Sequence, residues 1–309
     1  MADLSVVIPI YNEEGNIPLL HERLTRTLEE MKVGYEFIFI NDGSRDRSVE
    51  LLRELAQKDS HVKYIDFSRN FGHQIAVSAG LDHSRGEAVV IMDADLQDPP
   101  ELLAEMYRKY KEGFEVVYAR RRSRHGESWF KKITARAFYR LLSSLSSVDI
   151  PLDTGDFRII DHKVVEALRK MPEKSKFLRG QISWIGFRQT FLEYDRQERH
   201  AGETNYPFRK MLSLALDGIT GFSDVPLRFV TYFGLIATGF AFLGTLYVLY
   251  SRFVLRDFVE GWASLMITVL FIGGVQMIAI GIIGEYLSRI HANVRNRPLY
   301  IIRDSNFSS

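Results

Sequence analysis

The chain has 309 residues, 40 Lys and Arg against 39 Asp and Glu, a formal net charge of +1, and no cysteine. That excludes a disulfide framework, a thiolate metal site and a cysteine nucleophile, and the near-neutral balance argues against a general nucleic-acid binder. The charge is unevenly spread, because residues 229–250 and 262–284 hold 45 residues without one formal charge, which raises the density elsewhere to about 30%.

The chain starts with Met1-Ala2-Asp3-Leu4 and no basic stretch, so no signal peptide is expected. From there to about residue 120, short β-rich runs alternate with helix-period segments. The runs predict strands over 4–10, 35–40, 62–67, 88–92 and 115–119; between them helices are expected over 17–31, 47–57, 74–83 and 101–111. Near-continuous apolar strands separated by amphipathic helices predict parallel strands buried on both faces, an α/β, Rossmann-like sandwich. Ligands on such sheets bind where the strands end.

Four strand ends carry polar, acid-bearing tips: Pro9-Ile10-Tyr11-Asn12-Glu13-Glu14, Asn41-Asp42-Gly43-Ser44, Ser68-Arg69-Asn70-Phe71-Gly72 and Asp93-Ala94-Asp95-Leu96-Gln97-Asp98. Taken singly, Asn41-Asp42-Gly43 reads equally as a turn and Ser44 as a helix cap. All four on one sheet edge predict a cleft. Asp93-x-Asp95 with Gln97 offers oxygen ligands that suit Mg²⁺ or Mn²⁺ rather than zinc, and such an ion takes part of its shell from phosphates. A nucleotide diphosphate is the natural companion, with Asp42 accepting from a base or ribose. No Gly-x-Gly-x-x-Gly follows the first strand and no P-loop occurs, which removes the main supports for a dinucleotide or P-loop site.

Residues 106–140 hold 11 Lys or Arg against three Glu, interrupted by Trp129 and Phe130, with a basic helix expected over 129–142. Two readings stand for this stretch. One is a solvated or lipid-attracted face, worth about 1 kcal/mol per basic residue near an anionic membrane. The other is a phosphate clamp, for which Arg120 or Arg122 with Arg136 are the candidates. Residues 120–200 otherwise read as irregular, apart from Asp153-Thr154-Gly155-Asp156-Phe157-Arg158 and a strand over 189–194.

An amphipathic helix is expected over 208–222, ahead of the first uncharged segment. The two uncharged segments, as helices of about 33–35 Å, are long enough to span a bilayer. Their linker, 251–261, makes a hairpin with both chain ends on one side. Arg289, Arg295, Arg297 and Arg303 follow it and Arg209, Lys210 and Arg228 precede it, which puts the domain and the tail in the cytoplasm. Gly273, Gly274, Gly281 and Gly284 permit close helix packing, within the hairpin or between subunits.

In combination these motifs resemble glycosyltransferase family 2, and within it the polyprenyl-phosphate glycosyltransferases of the dolichol-phosphate mannose synthase type. They are most similar to the bactoprenol (undecaprenyl-phosphate) glucosyltransferase branch, whose ending Gly284-Glu285-Tyr286-Leu287-Ser288-Arg289 and Arg297-Pro298-Leu299-Tyr300 resemble. The resemblance implies a GT-A catalytic domain over 1–205, a juxtamembrane helix over 206–228, membrane helices over 229–250 and 262–284 joined by a periplasmic loop, and a cytoplasmic tail over 285–309. It implies a multi-pass protein of the bacterial inner membrane, a homo-oligomer with a tetramer among the options, and no nucleic-acid partner.

The implied reaction places a sugar on a polyprenyl phosphate with inversion, the donor being a nucleotide sugar, UDP-glucose before GlcNAc, mannose or aminoarabinose donors. Asp93, Asp95 and Gln97 would hold the metal; Pro9, Tyr11, Asn12, Glu13 and Asp42, with Asp93, Ala94 and Asp95, would bind the nucleotide sugar; Asp156 would stand at the position of the catalytic base, with Asp95 beside it. The resemblance breaks at Gly202-Glu203-Thr204-Asn205-Tyr206, where relatives place Lys at the position of Asn205, leaving that role to Arg199 or His200. Gln181-Ile182-Ser183-Trp184 lacks the Arg of processive synthases, which favours a single transfer. A catalytically silent membrane scaffold and a membrane-anchored NAD(P) oxidoreductase are the alternatives from other classes.

Overall fold

The computed structural model describes residues 2–122, 154–195, 225–250, 253 and 261–307. Within them the strands are β1 (Leu4–Ile10), β2 (Tyr35–Asn41), β3 (Val62–Phe67), β4 (Ala88–Ile91), β5 (Val116–Arg121), β6 (Thr154–Asp161), β7 (Gln189–Tyr194) and β8 (Ile302–Ser305). The helices are α1 (Ile17–Met31), α2 (Ser48–Lys58), α3 (His73–His83), α4 (Leu103–Lys111), α5 (His162–Arg169), α6 (Leu178–Ile185), α7 (Val225–Tyr250) and α8 (Trp262–Val294). One sheet runs β7-β5-β6-β4-β1-β2-β3-β8. The pairs β1/β2, β1/β4, β2/β3 and β5/β7 are parallel, whereas β6 and β8 run against their neighbours.

Strand periodicity divides the core into two layers. Val6, Ile8, Phe37, Phe39, Val90 and Phe157 pack under α1, α2 and α4. Val7, Ile38, Ile40, Ile65, Val89 and Ile160 face the other way, toward α3, α5 and α6. The expected α/β sandwich is therefore present, with strands buried on both faces.

Four elements, β6, α5, α6 and β8, depart from expectation. The segment read as irregular contains β6, whose buried charged residues Asp156 and Arg158 mask its apolar alternation because they neutralise one another. It also contains α5, whose N-cap Asp161 accepts from the Lys163 amide at 2.8 Å. At the far end, β8 returns from the tail to become the sheet's edge.

Both apolar helices exceed their uncharged stretches. α7 has 26 residues and α8 has 33. Within them Leu227–Gly244 and Phe271–Val294 have mean hydropathy 1.5 and no residue buried within the fold, and both are long and apolar enough to cross a membrane. α8 continues ten residues past the uncharged segment, and this extension carries an i,i+4 ion pair, Glu285 with Arg289 at 3.2 Å. The expected helices over 129–142 and 208–222 lie outside the described residues, as do Arg136, Arg199, His200 and Asn205.

Candidate active site

The parallel strands β1, β2, β3 and β4 deliver their tips to one sheet edge, and the antiparallel β6 brings its first residues to the same edge. Ile91 of β4 pairs with Arg158 of β6. Carried two residues on, that register sets Asp93 opposite Asp156. The two carboxylates are bridged by His73, in the first turn of α3: its Nε2 lies 3.6 Å from Asp93 Oδ1 and 3.0 Å from Asp156 Oδ2.

Asp156 is 7% exposed and fully engaged. Arg179 Nε on α6 donates to its Oδ1 at 2.8 Å and Gln74 Nε2 to its Oδ2 at 3.3 Å, while the Arg158 guanidinium stands 3.7 Å away. Gln74 in turn accepts from the Leu178 amide at 3.1 Å, so α3 and α6 are locked across the site. Burial disfavours the Asp156 charge, but Arg179 and His73 outweigh it and hold the carboxyl well below the usual range. Burial also opposes a charge on His73; Asp93 and Asp156 prevail and raise the imidazole to about 9. Desolvation lowers Arg158 to about 10 against the pull of Asp156.

The Asp93 tip is acid-rich. Burial raises the Asp93 carboxyl, His73 opposes, and the like charges of Asp156, Asp98 and Asp95 push it up further. Asp95 is buried and its Oδ1 accepts from the Gln97 amide at 3.2 Å. Leu96 between them adopts φ 58°, a left-handed conformation that costs a leucine about 1 kcal/mol and is held by burial of its side chain. Ala94 points into the core, leaving only its backbone for a ligand. The crowded oxygen donors fit a divalent cation, whose charge would relieve the repulsion among them. His73, Asp93 and Asp156 also present ligand atoms all within 4.8 Å of one another, compact enough for a metal ion.

The tips of β1 and β2 are stitched to each other. Asn12, at φ 56°, donates its amide to Ser44 Oγ at 3.0 Å and accepts from the Arg45 amide at 2.8 Å. The Glu13 amide donates to Ser48 Oγ at 3.1 Å. Pro9 is buried in β1, whereas Tyr11 is 46% exposed at the cleft edge. Asp42 is buried and accepts from the Phe71 amide at 2.6 Å and the Gly72 amide at 2.9 Å. Burial raises its carboxyl and those amides pull it back. Gly43 has φ 67°, and a Cβ there would stand 2.5 Å from the backbone of Arg69 and Asn70, so only glycine admits this close contact.

β5 ends at the same edge. Arg121 Nε donates to the Tyr194 hydroxyl at 3.3 Å, and that hydroxyl donates to Asp98. Arg120 and Arg122 alternate to the opposite face, the face that also carries Asp156. There Arg120 pairs with Glu193 and lies 3.8 Å over the Phe191 ring, while Arg122 stands 3.5 Å from Asp195. The sequence singled out Asp156 and its neighbours, Arg158 among them without its pairing to Asp156, but gave no sign of His73, Gln74 or Arg179. The Asp156-Phe157-Arg158 alternation could have exposed Arg158 as a same-face partner; nothing local marks Arg179.

An α/β sheet with an acidic tip after a central strand and a fixed carboxylate facing it is the arrangement of a GT-A glycosyltransferase. Residues 5–169 match the family described as Glycosyl transferase family 2, and 225–290 match the GtrB C-terminal hairpin. The chain belongs to glycosyltransferase family 2 and is a glycosyltransferase with the GT-A fold. It is 52% identical over 97% of its length, and 93% of the relative's, to "Uncharacterized glycosyltransferase YkcC" of Bacillus subtilis. It is 40% identical to "Bactoprenol glucosyl transferase" of Shigella phage SfII, over 98% of both chains. It is also 40% identical to "Prophage bactoprenol glucosyl transferase homolog" of Escherichia coli, over 97% of this chain and 98% of that one.

Proposed function

We propose that the protein is a membrane-bound inverting glycosyltransferase that moves glucose from UDP-glucose onto undecaprenyl phosphate. The observation that carries this reading is the juxtaposition of the Asp93-x-Asp95 tip with Asp156, held by His73 and Arg179, on one edge of the sheet. The phage relatives, named for bactoprenol and matching end to end, supply the substrate class.

An oxygen of the acceptor phosphate attacks C1 of the sugar as the bond from C1 to UDP breaks. A phosphate monoester has a second pKa of about 6, so the acceptor is mostly dianionic at neutral pH and scarcely needs a base. The geometry agrees with that economy, because a carboxylate held as low as Asp156 is a poor proton acceptor. Its role is to fix Arg179, Gln74 and His73 and to orient the reacting groups. Pro9, Tyr11, Asn12, Glu13 and Asp42 line the uridine side, and Asp93, Ala94 and Asp95 the sugar-diphosphate. Arg120 and Arg122, on the face of Asp156, receive the acceptor phosphate together with Arg136. Mg²⁺ or Mn²⁺ would be held by Asp93, Asp95 and Gln97 and would neutralise charge on the departing diphosphate. The α7–α8 hairpin anchors the domain at the cytoplasmic face of the membrane, with both chain ends on that side.

Purified full-length protein, given radiolabelled UDP- and GDP-sugars with undecaprenyl phosphate and either Mg²⁺ or Mn²⁺, should label the lipid from UDP-glucose. A lipid product from a GlcNAc, mannose or aminoarabinose donor alone would replace the sugar, and no transfer from any pairing would overturn the reading. For Asp156→Asn, orientation predicts the same fractional loss at every pH. A deficit that vanishes at high pH would identify proton abstraction instead.

A further inference from the structure

The tail beyond α8 does more than end the chain. Only seven residues separate Val294 from Ile302, where β8 begins along β3. The tail then grips the start of the segment 68–72. The Ser68 amide donates to the Ile301 carbonyl at 3.0 Å, and the Arg303 guanidinium donates to the Ser68 carbonyl at 2.6 Å. Both backbone polar groups of Ser68 are thus held by the tail. Tyr300 stacks on Phe67 with ring centroids 5.1 Å apart, and Phe67 meets Phe71 edge-on at 5.5 Å.

The far end of this segment is built into the site. The amides of Phe71 and Gly72 hold the Asp42 carboxylate, Asn70 donates to the Asp42 carbonyl at 3.1 Å, and the next residue is His73. Five residues therefore connect the tail to the β2 tip and to the Asp156 cluster. Arg303 also approaches Asp66 Oδ2 at 3.7 Å, and Asp66 accepts from Asn41, the neighbour of Asp42, at 2.7 Å. Two routes, one through backbone and one through side chains, converge on Asp42.

We propose that the C-terminal tail is a positioning element of the nucleotide-sugar site, with Arg303 setting the 68–72 segment and through it Asp42 and His73. The inference rests on the donor-site reading above. A tail docked in this way makes donor affinity depend on a segment contiguous with the membrane hairpin, so correct seating of the anchor and competence of the nucleotide pocket are linked. Arg303 acts through Ser68 and does not itself touch the substrate.

The test uses the full-length protein in detergent with UDP and UDP-glucose as probes. Arg303→Ala should weaken UDP binding by calorimetry, and raise KM for UDP-glucose, roughly 3- to 10-fold, with kcat changed much less. Arg303→Lys, which keeps a cationic donor for Ser68, should recover most of that loss. Asp42→Asn serves as the reference for the pocket. If Asp42→Asn weakens UDP and Arg303→Ala does not, the tail inference is overturned while the donor site stands. If Asp42→Asn leaves UDP binding intact, the donor-site reading falls and the inference with it. Coupling is reciprocal, so the wild type gives a measurement independent of variant folding: saturating UDP should slow amide hydrogen exchange in 302–305. Unchanged exchange there would also overturn the inference.

Discussion

Arg179 and Asp156 form the closest charge pair of the Asp156 cluster, 2.8 Å apart, and join α6 to the first residues of β6. Arg158, His73 and Gln74 share the same carboxylate, so removing Arg179 leaves a buried anion under-compensated rather than bare. Arg179→Ala should raise the Asp156 carboxyl toward the ordinary range and destabilise the fold by about 1–3 kcal/mol. It should lower kcat at least about tenfold through lost positioning. Denaturant midpoints and single-turnover rates check this; a variant with wild-type kcat would remove Arg179 from the catalytic arrangement.

His73 carries the sign of the site's pH dependence. Its imidazole is raised from 6.5 to about 9 in the folded protein, so the stabilisation from its charge is complete below pH 6.5 and is lost as pH rises toward about 9. The ring is 42% exposed, which screens the size of the effect but not its direction. In a chelator, the thermal midpoint of the wild type should fall across pH 6.5–9 more steeply than that of His73→Gln. Parallel curves would show that His73 is neutral there. Added Mg²⁺ should move the wild-type fall to lower pH, because a second cation beside Asp93 competes with the imidazolium.

How much of this was legible in the sequence follows from how local each feature is. The four tips announce themselves because polar residues that end buried apolar strands stand out in a linear pattern, whereas Asp156 was marked only by the resemblance of Thr154-Gly155-Asp156-Phe157-Arg158 to the family. β6 hid because Asp156 and Arg158 occupy inward positions where a strand is expected to be apolar; only their mutual neutralisation, invisible before folding, permits burial. His73 and Arg179 reach Asp156 from 83 and 23 residues away, a closure no spacing encodes. β8 was missed for a similar reason: Ile302-Arg303-Asp304-Ser305 has little strand character, and its charges are satisfied by Arg53, Ser68 and Asp66 across the edge.

The acid tip predicts a strict metal requirement. Asp95 is buried beside Asp93, with its Oδ1 already fixed by the Gln97 amide, so Asp95→Ala removes an oxygen proposed above as a metal ligand and frees the Leu96 turn. Turnover should fall at least about a hundredfold. Wild-type activity should vanish in a chelator and return with Mg²⁺ or Mn²⁺, whereas Asp95→Ala should need much more metal for any return. Near-normal activity with an unchanged metal requirement would remove Asp95 from the ligand set.

Gly80 tests whether α3 must lie as close to the sheet as it does. A Cβ there would meet Val7 Cγ1 at 2.2 Å and Ile40 Cδ1 at 2.8 Å, both in fully buried side chains of the central strands. Alanine gains up to about 1 kcal/mol over glycine in a helix interior. Overpacking a dense core costs about 1–3 kcal/mol, and branched Val7, packed on every side, has little room to yield. The second effect should win, so Gly80→Ala should destabilise by about 1–2 kcal/mol and tilt α3 off β1 and β2. His73 and Gln74 sit in the first turn of that helix, so the tilt should loosen their hold on Asp156 and lower kcat together with stability. Adding Val7→Ala should return part of both losses, because the deleted methyls are the ones the new Cβ strikes, and a double-mutant cycle reads that coupling directly. A Gly80→Ala protein at least as stable as wild type would mean that helix propensity prevails and that the close approach of α3 is not what seats His73.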